Sequence, residues 1–401
     1  MKHVELSNRP TTEGDCALER WQFAGFGLYV HWPFCQSKCP YCDFNSHVTA
    51  QIDQDVWREA YLTELRRCAI ETPNRVLSSI FFGGGTPSLM PPATVAAIID
   101  EATRLWTPAN DIEITLEANP SSVEIERFRD FRAAGVNRVS VGIQALNDVD
   151  LRRLGRLHDV REARAAINIS QAVFDRTSFD LIYARQDQSL RAWEAELCQA
   201  LSMAGDHLSL YQLTIEPGTA FGARFDRGLL LGLPSEDLAA DMYELTQSLC
   251  DAWDRPAYEV SNHAKPGDES RHNMIYWRSG DYVGIGPGAH GRLTSSSGRR
   301  IATMRPAMPA AWLTAVQSAV QKKVTPLSPE EQATELLIMG MRVNSGVDLL
   351  DYQRLAGETL DTERVSQLID QGLVEVKSGK IRTTSAGRLV LNWVLKQLLL
   401  T

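Results

Sequence analysis

No uninterrupted apolar run in this 401-residue chain approaches the roughly 18 residues that a membrane-spanning helix needs. Positive charge is not in excess either. Lys and Arg number 41 against 50 Asp and Glu, a formal net charge of −9. That balance argues against a nucleic-acid partner, which would favour a basic face. Residues 1–25 lack the apolar core and cleavage pattern of a secretory signal, so a cytoplasmic location is expected. A paired-cysteine pattern is missing too. The seven cysteines are an odd number, and Cys16, Cys68, Cys198 and Cys250 are scattered. This is cofactor usage in a reducing compartment, not a disulfide framework.

What is present is organised around one loop. Cys35, Cys39 and Cys42 are spaced C-x3-C-x2-C directly after an apolar run, 26–30, that reads as a strand. A [4Fe–4S] cluster has four irons and normally takes four thiolates. Three thiolates leave one iron open to a substrate or cofactor. Zinc is the alternative, with His31 or His47 as a fourth ligand, but structural zinc wants a second short-spaced ligand pair. Lys38 between the first two cysteines favours thiolates electrostatically. Tyr41 can shield a cluster and offer its ring to a ligand.

Hydrophobic residues make up 44% of the chain, ample for a large domain and a smaller one. Residues 1–25 read as an N-terminal extension. From residue 26 strands alternate with helices: strands at 26–31, 76–82, 112–117, 137–143, 178–183 and 207–213, helices at 54–68, 92–105, 158–172, 190–203 and 236–252. Ser121-Ser122-Val123-Glu124 carries a helix-capping signal. Roughly six βα units fit between 26 and 260, fewer than the eight of a closed barrel. The expected fold is α/β, an open partial barrel over 26–260. A connecting segment, 261–310, follows, with Ser295 to Ser297 as a surface hairpin. Residues 311–401 form a smaller C-terminal α+β, mainly helical domain. Its order of helix, short hairpin and helix is winged-helix-like, and with a net-negative chain it reads as a structural cap.

The strand ends carry polar groups. Gly83-Gly84-Gly85-Thr86-Pro87 follows the second strand, where glycines leave backbone groups open to a ligand. Glu117, Gln144 and Asp180 lie at or near the ends of the third, fourth and fifth strands, and Arg156 follows the fourth. Alone, each reads equally as a turn or a surface group. A carboxylate, an amide and a guanidinium at successive strand ends suit a polar, charged ligand.

The cysteine spacing, the aromatic before the last cysteine and the place after a first strand resemble the radical S-adenosylmethionine (SAM) superfamily. The resemblance implies a (β/α)6 partial barrel and a SAM whose methionyl amino and carboxylate groups chelate the open iron. The segments 29–42, 83–88, 138–144 and 180–183 resemble one branch more closely. It holds the oxygen-independent coproporphyrinogen III oxidases and the HemW heme chaperones. Carried over, Cys35, Cys39 and Cys42 are cluster ligands. Tyr29, Tyr41, Gly84, Gly85, Thr86, Glu117, Gln144, Arg156 and Asp180 are SAM contacts, with Thr214 and His290 at two weaker positions. One departure is local: relatives often show Gly-Leu-Pro where Ala184-Arg185-Gln186-Asp187 stands.

Two features separate the two members of that branch. The oxidases have a fourth cysteine two residues after the third, where this chain has Phe44, and a longer N-terminal cover than the 28 residues before Tyr29. His272-Asn273-Met274-Ile275-Tyr276-Trp277 matches the HNxxYW signature of the heme chaperones. A histidine among aromatics suits heme, as axial ligand and as packing for a porphyrin. The resemblance therefore implies a heme chaperone with three cofactors, the [4Fe–4S] cluster, SAM and heme. It would pass heme to an acceptor protein, for example of the respiratory chain, with peripheral membrane contact and a homodimer left open. The alternative is an oxidase that removes two propionate carboxylates from coproporphyrinogen III. The resemblance makes no firm case for radical turnover on a porphyrin.

Overall fold

The computed structural model describes residues 20–49, 51–121, 125–295, 299–318 and 323–399. Cys16, most of the 1–25 extension, the capping signal beyond Ser121 and the 296–297 tip of the expected hairpin lie outside them.

Six strands follow one another as expected: β1 (Phe26–Trp32), β2 (Val76–Gly84), β3 (Thr107–Ala118), β4 (Arg138–Gln144), β5 (Arg176–Tyr183) and β6 (His207–Gln212). Each pairs in parallel with the next. Helices Gln54–Glu71, Pro92–Leu105, Val160–Val173 and Leu190–Met203 lie in the connections. Their starts follow from local chemistry. Asp53 accepts a hydrogen bond from the Val56 N–H, and Asp159 and Glu162 form a reciprocal capping box.

Period-two alternation divides β1 between two layers. Trp32 meets Trp57 and Tyr61 of helix Gln54–Glu71, on the outer layer. Tyr29, three residues earlier, points to the other face and stacks on Phe81 of β2 at 6.3 Å. One large apolar core fills the space between sheet and helices.

The sheet runs further than six strands. After β7 (Asn262–Ala264), antiparallel on β6, comes β8 (Asp281–Ile285), which adds in parallel to the free side of β1. Glycines surround this short run, so sequence periodicity does not mark it as a strand. Buried charge fixes it instead: Asp281 pairs with Arg75 at 2.6 Å and Arg300 at 3.2 Å. Next come β9 (His290–Thr294), β10 (Arg300–Met304) and β11 (Lys323–Pro326), each antiparallel to its neighbour. The order is β11-β10-β9-β8-β1-β2-β3-β4-β5-β6-β7, and its two ends do not meet. The sheet is open, as expected.

The C-terminal part has its own core, with Leu336, Leu368, Val374 and Val394 among its residues. Helix Thr362–Asp370, the hairpin Val374–Lys377 and Lys380–Thr383, and helix Leu391–Leu399 follow in the expected order.

Candidate functional site

The seven parallel strands of the main sheet end on one face, where open α/β sheets and barrels place their ligands. There a cavity of about 1030 Å³ opens. Cys35, Cys39 and Cys42 line it together with Tyr41, Gly84, Gly85, Thr86, Glu117, Gln144, Arg156, Asp180 and Thr214. Residues spread over 180 positions of sequence thus meet in one space.

Backbone geometry shapes the cavity at two glycines. Gly84 ends β2 at φ +111°, and a Cβ there would sit 2.6 Å from the His31 ring. Gly155, at φ +68°, lets the segment carrying Arg156 lie against Pro40 of the cysteine loop; a Cβ would come within 2.6 Å of the Pro40 ring. Gln144 takes φ +72° without being glycine, beside a register shift between β4 and β5. Strain of that kind is held only where the surroundings impose it.

Hydrogen-bond donors surround the sulfurs. The Thr86 hydroxyl donates to Cys35 Sγ at 3.3 Å, and Arg156 Nη1 donates to Cys39 Sγ at 3.3 Å. Burial pushes the Cys35 and Cys42 thiols up. Arg156 Nη2 also donates to Asn119 Oδ1 at 2.5 Å and to the Gly142 carbonyl at 2.9 Å. Asn119 Nδ2 donates to Thr86 Oγ1 at 3.1 Å, so one amide ties the two sulfur donors together. Sequence reasoning missed Asn119, a lone amide just past a strand.

Two carboxyls face the same space. Burial, and then the charge of Asp180, push Glu117 up to about 8, although it accepts from the Gly84 N–H at 3.2 Å. Burial raises Asp180 to about 6 against the Ser140 hydroxyl, which donates to it at 3.1 Å. Gln144 Oε1 and Arg156 Nε are buried without a hydrogen-bond partner. An unpartnered acceptor, an unpartnered donor and two carboxyls short of positive charge fit a polar ligand that carries both ammonium and carboxylate groups.

The donor set fits an iron–sulfur cluster better than zinc. Among the described residues no three His, Cys, Asp or Glu side chains converge as around one metal ion. Thiolates on separate corners of a cubane need not converge in that way. The histidines considered as fourth zinc ligands are engaged elsewhere. His31 bonds the Tyr29 hydroxyl at 3.0 Å and the Asn45 carbonyl at 2.9 Å, and His47 bonds Asn45 Oδ1 at 3.1 Å.

Three expected residues are not in this cavity. Tyr29 lies below it on the inner face of β1, bonded to His31. His290 lines a neighbouring groove. His272, expected at the heme and not among the SAM contacts, also lies outside the cavity. Its helix, Arg271–Trp277, packs into the barrel interior against β2, and the ring is 1% exposed. Nδ1 bonds Ser79 Oγ and Nε2 bonds the Tyr276 hydroxyl, both at 2.7 Å. The ring stacks on Phe81 at 5.1 Å, and burial pulls its pKa down to about 3. Both ring nitrogens are hydrogen-bonded, and this neutral ring packs in the barrel interior.

The C-terminal part contributes one wall of the cavity through Arg388, Val390 and Trp393. No helix among the described residues is long and apolar enough to cross a membrane.

An open parallel barrel with a three-thiol loop over its strand ends defines a radical SAM protein, and the comparisons agree. Residues 29–194 match the Radical SAM superfamily and residues 327–390 the HemN C-terminal domain. The heme chaperone HemW of Escherichia coli (strain K12) is 36% identical, over 92% of this chain and 97% of that one. Radical S-adenosyl methionine domain-containing protein 1, mitochondrial, of Mus musculus is 39% identical, over 93% of this chain and 87% of that one. The chain belongs to the HemW family of radical SAM proteins. Coproporphyrinogen III oxidase (HemN) from Escherichia coli shares the fold, with a TM-score of 0.78 at 23% identity over 93% of this chain and 89% of that one.

Proposed function

We propose that this protein is a heme chaperone that holds a [4Fe–4S] cluster and SAM and passes heme to an acceptor protein. Cys35, Cys39 and Cys42 would hold the cluster, and Gly84, Gly85, Thr86, Glu117, Gln144, Arg156 and Asp180 would receive SAM. When bound, the cluster supplies an iron with an open coordination site and one electron. The chain's own residues do the rest. Arg156 places positive charge at the Cys39 sulfur, and Thr86 donates at Cys35. At neutral pH burial and the Asp180 charge keep Glu117 protonated while Asp180 is largely ionised, and a cation in the cavity, such as the sulfonium of SAM, would favour the Glu117 anion as well. Tyr41 packs against Phe221 at 6.4 Å and screens the loop from that side.

The observation that carries the choice of heme handling over porphyrin oxidation is Phe44. It occupies the position of the oxidases' fourth cysteine, 57% exposed at the edge of the cavity. The near-full-length likeness to HemW chaperones supports the same reading.

The test is anaerobic. Reconstituted protein is incubated with coproporphyrinogen III, SAM and a reductant, and separately with hemin and an apo heme protein. Heme transfer without protoporphyrinogen is the expected result. Protoporphyrinogen formation would replace this reading with the oxidase.

A further inference from the structure

The cysteine loop has a second side. Lys38, Asp43, Phe44 and Ser46 line the cavity described above and also a neighbouring groove of about 750 Å³. That volume lies in the range of ligand pockets. Strands β9 to β11 form the far wall. In their register His290 stands opposite Met304, and Met304 opposite Lys323. Residues paired across antiparallel strands share a face, so these three side chains form one row, and all three line the groove.

The row and the loop present complementary chemistry. The His290 side chain is exposed and has no hydrogen-bond partner among the described residues, which leaves its ring nitrogens open. Partial burial and the nearby Arg292 hold that imidazole below its usual pKa, in the neutral form that binds metal. Phe44 and Met304 are 57% and 40% exposed, an apolar ring and a thioether with nothing packed over them. Neither Lys38 nor Lys323 has an ion-pair partner among the described residues. Arg305 also lines the groove, but Glu64 holds it at 3.1 Å. Asp43 is the one acid in the lining.

Building on the heme-handling reading, the geometry points to this groove as the heme site. The porphyrin lies between Phe44 and the β9–β11 face, His290 gives a nitrogen lone pair to the iron, and Lys38 and Lys323 face the two propionates. An apolar plane, an imidazole and two unpaired ammonium groups match a flat, dianionic iron porphyrin feature by feature. The heme would then be separated from the cluster and SAM only by the cysteine loop. The buried His272 has no part in ligation.

The test titrates cluster-reconstituted protein anaerobically with hemin, and in parallel with metal-free protoporphyrin IX. His290→Ala should weaken hemin by about tenfold or more and shift its Soret band. Affinity for the metal-free porphyrin should stay within roughly twofold, because the apolar and lysine contacts remain. A general disturbance of the fold would weaken both ligands alike and would overturn the ligand assignment. Lys323→Glu should weaken both porphyrins without moving the Soret band. If wild type binds hemin and His290→Ala leaves affinity and spectrum unchanged, the groove is not the heme site, while the chaperone reading stands. If wild type binds no hemin at all, both fall.

Discussion

Glu117→Gln is the substitution whose outcome follows most directly from the site. In the folded chain Glu117 is shifted up to about 8, first by burial and then by Asp180, from an ordinary carboxyl value of 4.5. Between those two values the folded state binds a proton that the unfolded state has released. The resulting stability is present in full below 4.5 and is lost as pH rises through about 8. One pKa unit corresponds to 1.36 kcal/mol. Water in the open cavity lowers the total, so we expect a loss on the order of 2–3 kcal/mol between pH 5 and 8.5. Gln keeps the acceptor for the Gly84 N–H and cannot ionise. Urea unfolding followed by tryptophan fluorescence, without SAM, should show wild type and variant equal near pH 5. At pH 8.5 the variant should be the more stable. Saturating SAM should reverse that order, because its positive charge favours the Glu117 anion that Gln cannot supply. Parallel pH curves for the two proteins without SAM would refute the reasoning.

Three further outcomes are expected. Replacing Cys35, Cys39 or Cys42 with Ala should abolish the visible absorbance seen after anaerobic reconstitution; a full signal in the triple variant would end the cluster assignment. Gly155→Ala forces a side chain into the left-handed region and onto Pro40. It should cost about 1–2 kcal/mol and lower cluster occupancy, read by iron content. His272→Ala removes two buried hydrogen bonds and a stacked ring. It should destabilise by about 2–4 kcal/mol while leaving the Soret band of bound hemin in place. A lost or shifted Soret band would return the heme to His272.

The cysteine loop and the glycine turn after β2 were legible in the sequence because their chemistry is local. Three thiols within eight residues have few other uses, and the three glycines in a row gain their meaning from their place directly after the second strand. Strand-end positions carried Glu117, Gln144 and Asp180 nearly as far, since parallel strands bring their ends to one face. Asn119 was not legible, because its role depends on Arg156 arriving from far along the chain. His272 reads two ways for a physical reason. Aromatic neighbours suit a porphyrin, and equally the interior of a barrel, and only the bonds to Ser79 and Tyr276 separate the two. The loop after β5 shows how Ala184-Arg185-Gln186-Asp187 is accommodated. Ala184 and Asp187 both adopt φ +57°, and Arg185 turns inward to Glu196 at 2.5 Å and Asp150 at 2.9 Å. A buried ion-pair network there supports a backbone that glycine would take freely.

Strand β11 has a consequence for handling the protein. It lies at one end of the open sheet with all four of its residues exposed. A bare strand edge is a template on which another chain can pair and begin to aggregate. Lys323 and Pro326, at its two ends, counter this with a charge and with a residue that has no N–H to donate. Lys323 thus serves solubility as well as its place in the groove. Lys323→Glu keeps a charge on the edge, whereas Lys323→Val would leave it more adhesive, and a loss of soluble protein could then be misread as a loss of heme binding.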